Sequence, residues 1–259
     1  MKNSKLILLI ILGIIFWFNG AISVKLLGNY VFTEDSPYKI EMFVLAFPML
    51  FLAIFIAIKA VKLNHSEILT AVVVMNFAAV FLDGIALNFF RQIYHDVYEI
   101  SHYGAAWILW GGGAGLLIAY LMTQNNITLG RKKVILSVIL GAIFWFVGAM
   151  IIRFFGDSVF SENNNYRILA LVLLFPLSYV FILITQKIVN LQKSELLNSV
   201  SIVTLTAMFL DGIALTWFRG LYSDKYEVSH YGAGFILFGV GAGLLLSYLM
   251  NDNEKMLEN

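Results

Sequence analysis

The stretch FLDGIALNFFRQIYHDVYEISHYGA, residues 81–105, returns as FLDGIALTWFRGLYSDKYEVSHYGA at residues 209–233. Asp83 maps onto Asp211 (211 − 83 = 128), and His102 onto His230 at the same offset. The register holds outside this stretch. Phe16-Trp17-Phe18 recurs as Phe144-Trp145-Phe146, Phe47-Pro48 as Phe175-Pro176, and Gly111-x-Gly113-Ala114-Gly115 as Gly239-x-Gly241-Ala242-Gly243. An internal duplication fixes the architecture of both halves together and has to be read before a fold is assigned.

Composition sets the solvent. The chain is 60% hydrophobic and 13% charged with a mean hydropathy of +0.84, whereas a soluble domain carries about 25% charged residues. The expected partner is therefore the lipid bilayer. A net charge of +1 and the lack of basic–aromatic clusters argue against nucleic acid. Cysteine is absent, which removes disulfides, thiolate nucleophiles and thiolate metal sites.

Each copy holds four apolar stretches long enough to cross a hydrocarbon core of about 30 Å, which takes roughly 20 helical residues. They run over 6–24, 42–58, 68–90 and 103–122, then 134–152, 168–186, 196–218 and 231–250. Backbone in lipid must satisfy its own hydrogen bonds, and no alternation supports strands. The expected class is all-α and polytopic, with eight transmembrane helices in two four-helix repeats. The organisation reads as a first repeat at 1–123, a basic cytoplasmic linker at 124–133, a second repeat at 134–250 and a polar tail at 251–259. The first span resembles a signal peptide, but its internal copy after Arg131-Lys132-Lys133 marks it as a permanent helix.

An even number of crossings per copy inserts both copies in the same orientation, related by a pseudo-twofold along the membrane normal. Ten Lys and Arg residues fall on the side of the N-terminus and seven opposite. This bias points to a multi-pass protein of the cell membrane with both termini in the cytoplasm.

The doubled polar residues are the candidate ligand or proton site: Asp83, Arg91, Glu99, His102 and Tyr103, with Asp211, Arg219, Glu227, His230 and Tyr231. Asp83 lies 15 residues into its span, about 22 Å along the axis at 1.5 Å per residue. A carboxylate at that depth costs about 2.5–3.5 kcal/mol and needs a protein or water partner. It reads either as a proton or cation site or as a lock between helices. Arg91 and Arg219, at helix ends, read as dipole-complementing anchors or as an anion clamp. Tyr103 and Tyr231 suit an interfacial aromatic belt, and Ser101 and Ser229 suit N-caps of the fourth and eighth helices.

Glu99-x-x-His102 and Glu227-x-x-His230 have the spacing with which carboxylate-bridged bundles ligate metal, a weak signal on its own. No cofactor is assigned on it. Gly111, Gly115, Gly239 and Gly243 are spaced to let helix backbones approach, at the interface of the copies or on a neighbour within each.

The Asp-bearing helix ending Leu87-x-Phe89-Phe90, followed by Gly104-Ala105-Ala106-Trp107-x-x-Trp110-Gly111, resembles a family of small prokaryotic four-helix membrane proteins known only as a domain of unknown function. The resemblance covers one repeat at a time and implies a tandem fusion of two units. It carries no activity, cofactor or substrate. The second copy departs from it at both tryptophans, where Phe235 and Phe238 stand.

Three functions follow from these residues. The first is a small transporter or channel-like protein whose titrating Asp83 and Asp211 serve a vestibule shaped by the Arg and His pairs, acting on a small molecule or ion. The second is a non-catalytic structural or partner-binding protein. The third is a metal-dependent membrane enzyme using the two Glu-x-x-His pairs. Substrate, energy coupling and oligomeric state leave no mark in the sequence.

Overall fold

The computed structural model describes residues 1–123, 129–162 and 164–252. Most of the expected tail, and 124–128 of the expected linker, lie outside the described residues. Among the described residues eight helices follow one another: α1 Asn3–Val31, α2 Lys39–Val61, α3 Ile68–Phe89, α4 Tyr98–Thr123, α5 Arg131–Val159, α6 Tyr166–Val189, α7 Lys193–Trp217 and α8 Tyr226–Asp252. Short 3-10 turns at His65–Glu67, Arg91–Ile93 and Arg219–Leu221 join them. All eight helices are long and apolar enough to cross a membrane. The chain is all-α and consistent with a membrane protein.

The helices overrun the apolar stretches that nucleate them, because polar residues at their ends find tertiary partners and stay helical. α1 covers 29 residues, about 43 Å at 1.5 Å per residue, and so reaches past a hydrocarbon core. α4 begins at Tyr98 and α8 at Tyr226, five residues before the expected starts. α5 takes in Arg131, Lys132 and Lys133, which the sequence suggests as linker. α2 and α6 close on Lys62 and Asn190 in the left-handed conformation, both at φ 54°. The following amides, Leu63 and Leu191, bond back to Ile58 and Gln186, satisfying carbonyls that a helix end leaves free. Glu67 and Glu195 take part in capping boxes with Asn64 and Gln192. They also bind Lys5 at 2.6 Å and Lys133 at 2.5 Å, tying each first helix to the start of its third.

α3, α4, α7 and α8 form the centre, and α1, α2, α5 and α6 an outer layer. Over their most apolar windows the central four are 56–72% buried and the outer four only 22–28%. The outer four present Leu26, Val44, Leu52, Phe154 and Val172 outward, an apolar surface too large for a water-exposed monomer. The most extensive contacts are α3 with α8 and α4 with α7, each joining one half to the other. The two halves are therefore interlocked through a shared core.

Glycine makes that closeness between the halves possible, while the four spaced glycines look elsewhere. A Cβ at Gly84 would stand 2.6 Å from the backbone nitrogen of Phe238, and one at Gly212 3.1 Å from that of Trp110. Gly113 and Gly241 likewise face Leu205, Met208 and Phe81 of the opposite half. Gly111 and Gly115 instead look onto Leu50 at 3.7 and 3.8 Å, Gly239 onto Leu174 at 3.1 Å, and nothing stands within 4 Å of a Cβ at Gly243. The small residue that matters lies between the members of each four-residue pair, because that face of the helix meets the other half.

Candidate functional site

Asp83 is buried on α3 and accepts a hydrogen bond at Oδ1 from the Tyr94 hydroxyl, 2.5 Å away. Tyr94 in turn accepts from the Trp17 indole nitrogen at 3.0 Å. The second half repeats the chain of bonds. Tyr222 donates to Asp211 Oδ1 at 2.6 Å, and Trp145 Nε1 donates to Tyr222 at 2.8 Å. The turn after α3 folds Tyr94 back beneath the helix, so a residue 11 positions on reaches the carboxyl. Burial first, and then the adjacent Asp83 carboxyl, push the Tyr94 hydroxyl well above the ordinary phenol range. It remains a donor, and the tryptophan fixes its lone pairs. Neither Trp17 nor Trp145 stands out as a partner in the sequence, although their recurrence at the 128-residue offset singles them out.

Each carboxyl lines its own cavity. In the first half a cavity of about 470 Å³ lies among α1, α2, α3 and α4, with Asp83, Trp17, Asn76 and Trp107 on its walls. Its rim includes Met49 and Leu52, exposed on α2, and Asn19, exposed on α1. These two helices touch each other far less than they touch α4 and α3, and the cavity opens between them. The equivalent space around Asp211 measures about 150 Å³. There Phe144 and Phe181 stack with ring centroids 4.3 Å apart and planes 7° from parallel, bridging α5 and α6. The first half has Phe16 and Ala53 at those positions. Asn19, Ser23 and Asn76 are replaced by Val147, Ile151 and Thr204 in the second half, whose cavity instead has Ser178 and Thr185 on its walls.

The histidines do different work. His102 is fully buried and donates from Nε2 to the carbonyl oxygen of Leu215 at 2.9 Å. His230 does the same to Leu87 at 3.0 Å, while its Nδ1 lies 3.0 Å from the Ser101 hydroxyl. A carbonyl only accepts, so each Nε2 carries hydrogen. Leu87 and Leu215 sit in the last turns of α3 and α7, whose carbonyls lack intrahelical partners. The imidazole of each half thus completes a helix end of the other. Ser101 and Ser229 lie inside α4 and α8 and bond carbonyls of the preceding turn, so they are not N-caps.

Around the histidines stand two rows of cations and tyrosines. Arg91 lies 4.0 Å over the Tyr98 ring, the Tyr98 and Tyr231 hydroxyls are 3.2 Å apart, and Arg167 lies 4.0 Å over Tyr231. In the second row Arg219 lies 4.0 Å over Tyr226, the Tyr226 and Tyr103 hydroxyls are 3.2 Å apart, and Lys39 lies 4.4 Å over Tyr103. Tyr103 and Tyr231 are buried between the halves, away from any lipid-facing belt. Arg91 also donates to the carbonyls of His95 and Asp96, and Arg219 to that of Ser223. These guanidiniums lock the turns after α3 and α7. Lys39 and Arg167 pass unnoticed in the sequence because one cation type replaces the other at the offset.

The Glu-x-x-His pairs diverge. Glu99 Oε1 accepts the Glu34 amide at 2.6 Å and Glu227 Oε1 the Glu162 amide at 2.7 Å, each fastening the loop before α2 or α6. The histidines point the other way, into the opposite half. Among the described residues no three His, Asp or Glu side chains converge as a metal site would require.

Comparison with known proteins adds one finding. Residues 30–126 match a family described as a family of unknown function, DUF5367. The matched segment begins near the end of α1 and takes in α2, α3 and α4, within the first half. No curated protein and no solved structure matches the chain.

Proposed function

We propose that the chain is a small polytopic transporter of the cell membrane that takes up a small molecule in its first-half cavity. The observation that carries this reading is a buried carboxyl, Asp83, on the wall of a cavity of about 470 Å³ reached from between α1 and α2. Ionisable groups at such depth are functional candidates by default, and a concave, mostly apolar space with few polar groups suits a small ligand. The reciprocal bonds from His102 to Leu215 and from His230 to Leu87 fit two repeats inserted in parallel about a pseudo-twofold along the membrane normal. Both termini then face the cytoplasm. Asp83 and Asp211 line separate cavities, which argues against a channel with a common pore.

The absence of cysteine permits a test that needs no ligand. Ala79 lines the first-half cavity, and an Ala79→Cys variant in sealed vesicles can be offered a membrane-impermeant maleimide from either side. A carrier that alternates its access should be labelled from both. Labelling from one side or from neither would reject transport and leave a membrane scaffold.

A second reading as a structural or partner-binding protein is favoured by how much of the doubled motif is spent on internal bonds. Glu99, His102, Arg91 and their copies all hold backbone groups in place. An enzyme ranks last, since the Glu-x-x-His side chains are not brought together.

A further inference from the structure

We infer that the first-half cavity binds an amphiphilic amine, with its protonated nitrogen at Asp83 and its apolar body between the aromatic walls, arriving from the membrane through the gap between α1 and α2. This rests on the cavity being a ligand site and names the chemistry of the ligand.

The argument starts from charge. A carboxylate removed from water needs an opposite charge or several hydrogen bonds. Among the described residues Asp83 receives one hydrogen bond, from Tyr94 at Oδ1, and no Lys, Arg or His lines the cavity. The second carboxyl oxygen is left for a donor brought by the ligand. An ammonium group supplies both donor and charge. The chain of bonds from Trp17 through Tyr94 holds the carboxyl in place for it. Trp17 and Trp107 line the same space, and indole rings attract cations.

Shape points the same way. A volume of about 470 Å³ lies in the range, roughly 300–1,000 Å³, that accommodates drug-sized ligands. Apart from Asp83 the polar wall groups are turned onto the protein. Asn76 donates to the Gly112 carbonyl, Asn19 to Ile15 and Ser23 to Asn19. The remaining wall is apolar and suits a hydrocarbon or aryl body. The exposed rim residues Met49 and Leu52 lie on a helix whose outer face is apolar, so access is from lipid.

The second half supplies an internal control. It keeps the Trp145, Tyr222 and Asp211 chain of bonds, yet Phe181 fills the space that Ala53 leaves open in the first half. One site per chain is expected.

The test uses the full chain in lipid nanodiscs and two probes of the same shape: a dansyl group carrying a short aminoalkyl tail, and the same group carrying a propyl tail. Energy transfer from tryptophan reports binding. The amine should bind at one site and at least about tenfold more tightly than the neutral probe. Asp83→Asn should remove that advantage and leave the neutral probe unaffected. Ala53→Phe copies the packing of the second half and should abolish binding of both. Should Ala53→Phe fail to fold, Phe181→Ala provides the converse: it should raise the stoichiometry from one to two. Equal binding of the two probes, an amine preference that survives Asp83→Asn, or a stoichiometry fixed at one in Phe181→Ala would each overturn the inference. Amine binding without two-sided labelling of Ala79→Cys would reject transport alone. Two-sided labelling without amine preference would reject the amine alone.

Discussion

The Nε2 of His102, on α4, donates to the carbonyl oxygen of Leu215, on α7, across 2.9 Å and 113 residues of chain. Leu215 lies in the last turn of its helix, where no amide follows to take that carbonyl. Removing the imidazole strands a buried acceptor, which costs about 1–3 kcal/mol. His102→Ala should lower the unfolding midpoint in detergent, and His102→Gln, which keeps a donor, should recover part of the loss. A midpoint equal to the parent's would show that the bond contributes nothing to holding the halves together.

The Tyr94 hydroxyl gives a dependence on pH with a definite sign. Burial holds it well above the ordinary phenol range, and the neighbouring Asp83 carboxyl adds to the effect. Tyr222 beside Asp211 is held the same way. Above the unfolded-state value of about 10 the unfolded chain sheds these protons while the folded chain retains them. Each such group therefore contributes stability that is complete below that value and falls as pH rises, by about 1.4 kcal/mol per pH unit. Unfolding followed from pH 9 to 11 should steepen accordingly, and Tyr94→Phe with Tyr222→Phe should flatten the curve. An unchanged slope in the double variant would remove the buried phenols from the account.

How much of this was legible beforehand depended on what each feature requires. Eight helices follow from eight apolar stretches, since lipid leaves the backbone no other choice. Their ends were not legible: Tyr98-Glu99-Ile100-Ser101 reads as a polar loop, yet it is helical because Glu99 finds the Glu34 amide and Ser101 finds carbonyls of the preceding turn. Duplication picked out Asp83, His102 and their copies, but not their partners. Two halves that carry the same motif offer His102 both Leu87 and Leu215, and only tertiary packing decides for the opposite half. Tyr94 was visible as a doubled residue, whereas its bond to Asp83 depends on a 3-10 turn that no periodicity announces.

The glycines separate spacing from contact. A methyl group at Gly84 would meet the Phe238 backbone at 2.6 Å, and backbone cannot swing aside. Gly84→Ala should destabilise by about 1–3 kcal/mol, the cost of overpacking. Nothing stands within 4 Å of a Cβ at Gly243, and at Gly111 only Leu50 does. Substitution by alanine there should be neutral or raise stability by up to about 1 kcal/mol through helix propensity. Thermal unfolding of the three variants in one detergent decides between these outcomes. Equal losses would show that the four-residue pairs to which Gly111 and Gly243 belong matter after all.

Orientation can be checked with single cysteines in a chain that has none. If all eight helices cross the bilayer and the Lys and Arg excess sets the cytoplasmic side, the loop before α2 and the loop before α8 lie outside together. Asp35→Cys and Asp224→Cys should then react with an impermeant maleimide on intact cells, and Lys2→Cys only after the membrane is opened. Asp35 and Asp224 come from different halves, so their shared accessibility also tests the parallel insertion of the repeats. Labelling of one without the other would mean that a helix fails to cross and that the halves are inverted. Labelling of Lys2→Cys alone on intact cells would keep the parallel arrangement and reverse its direction.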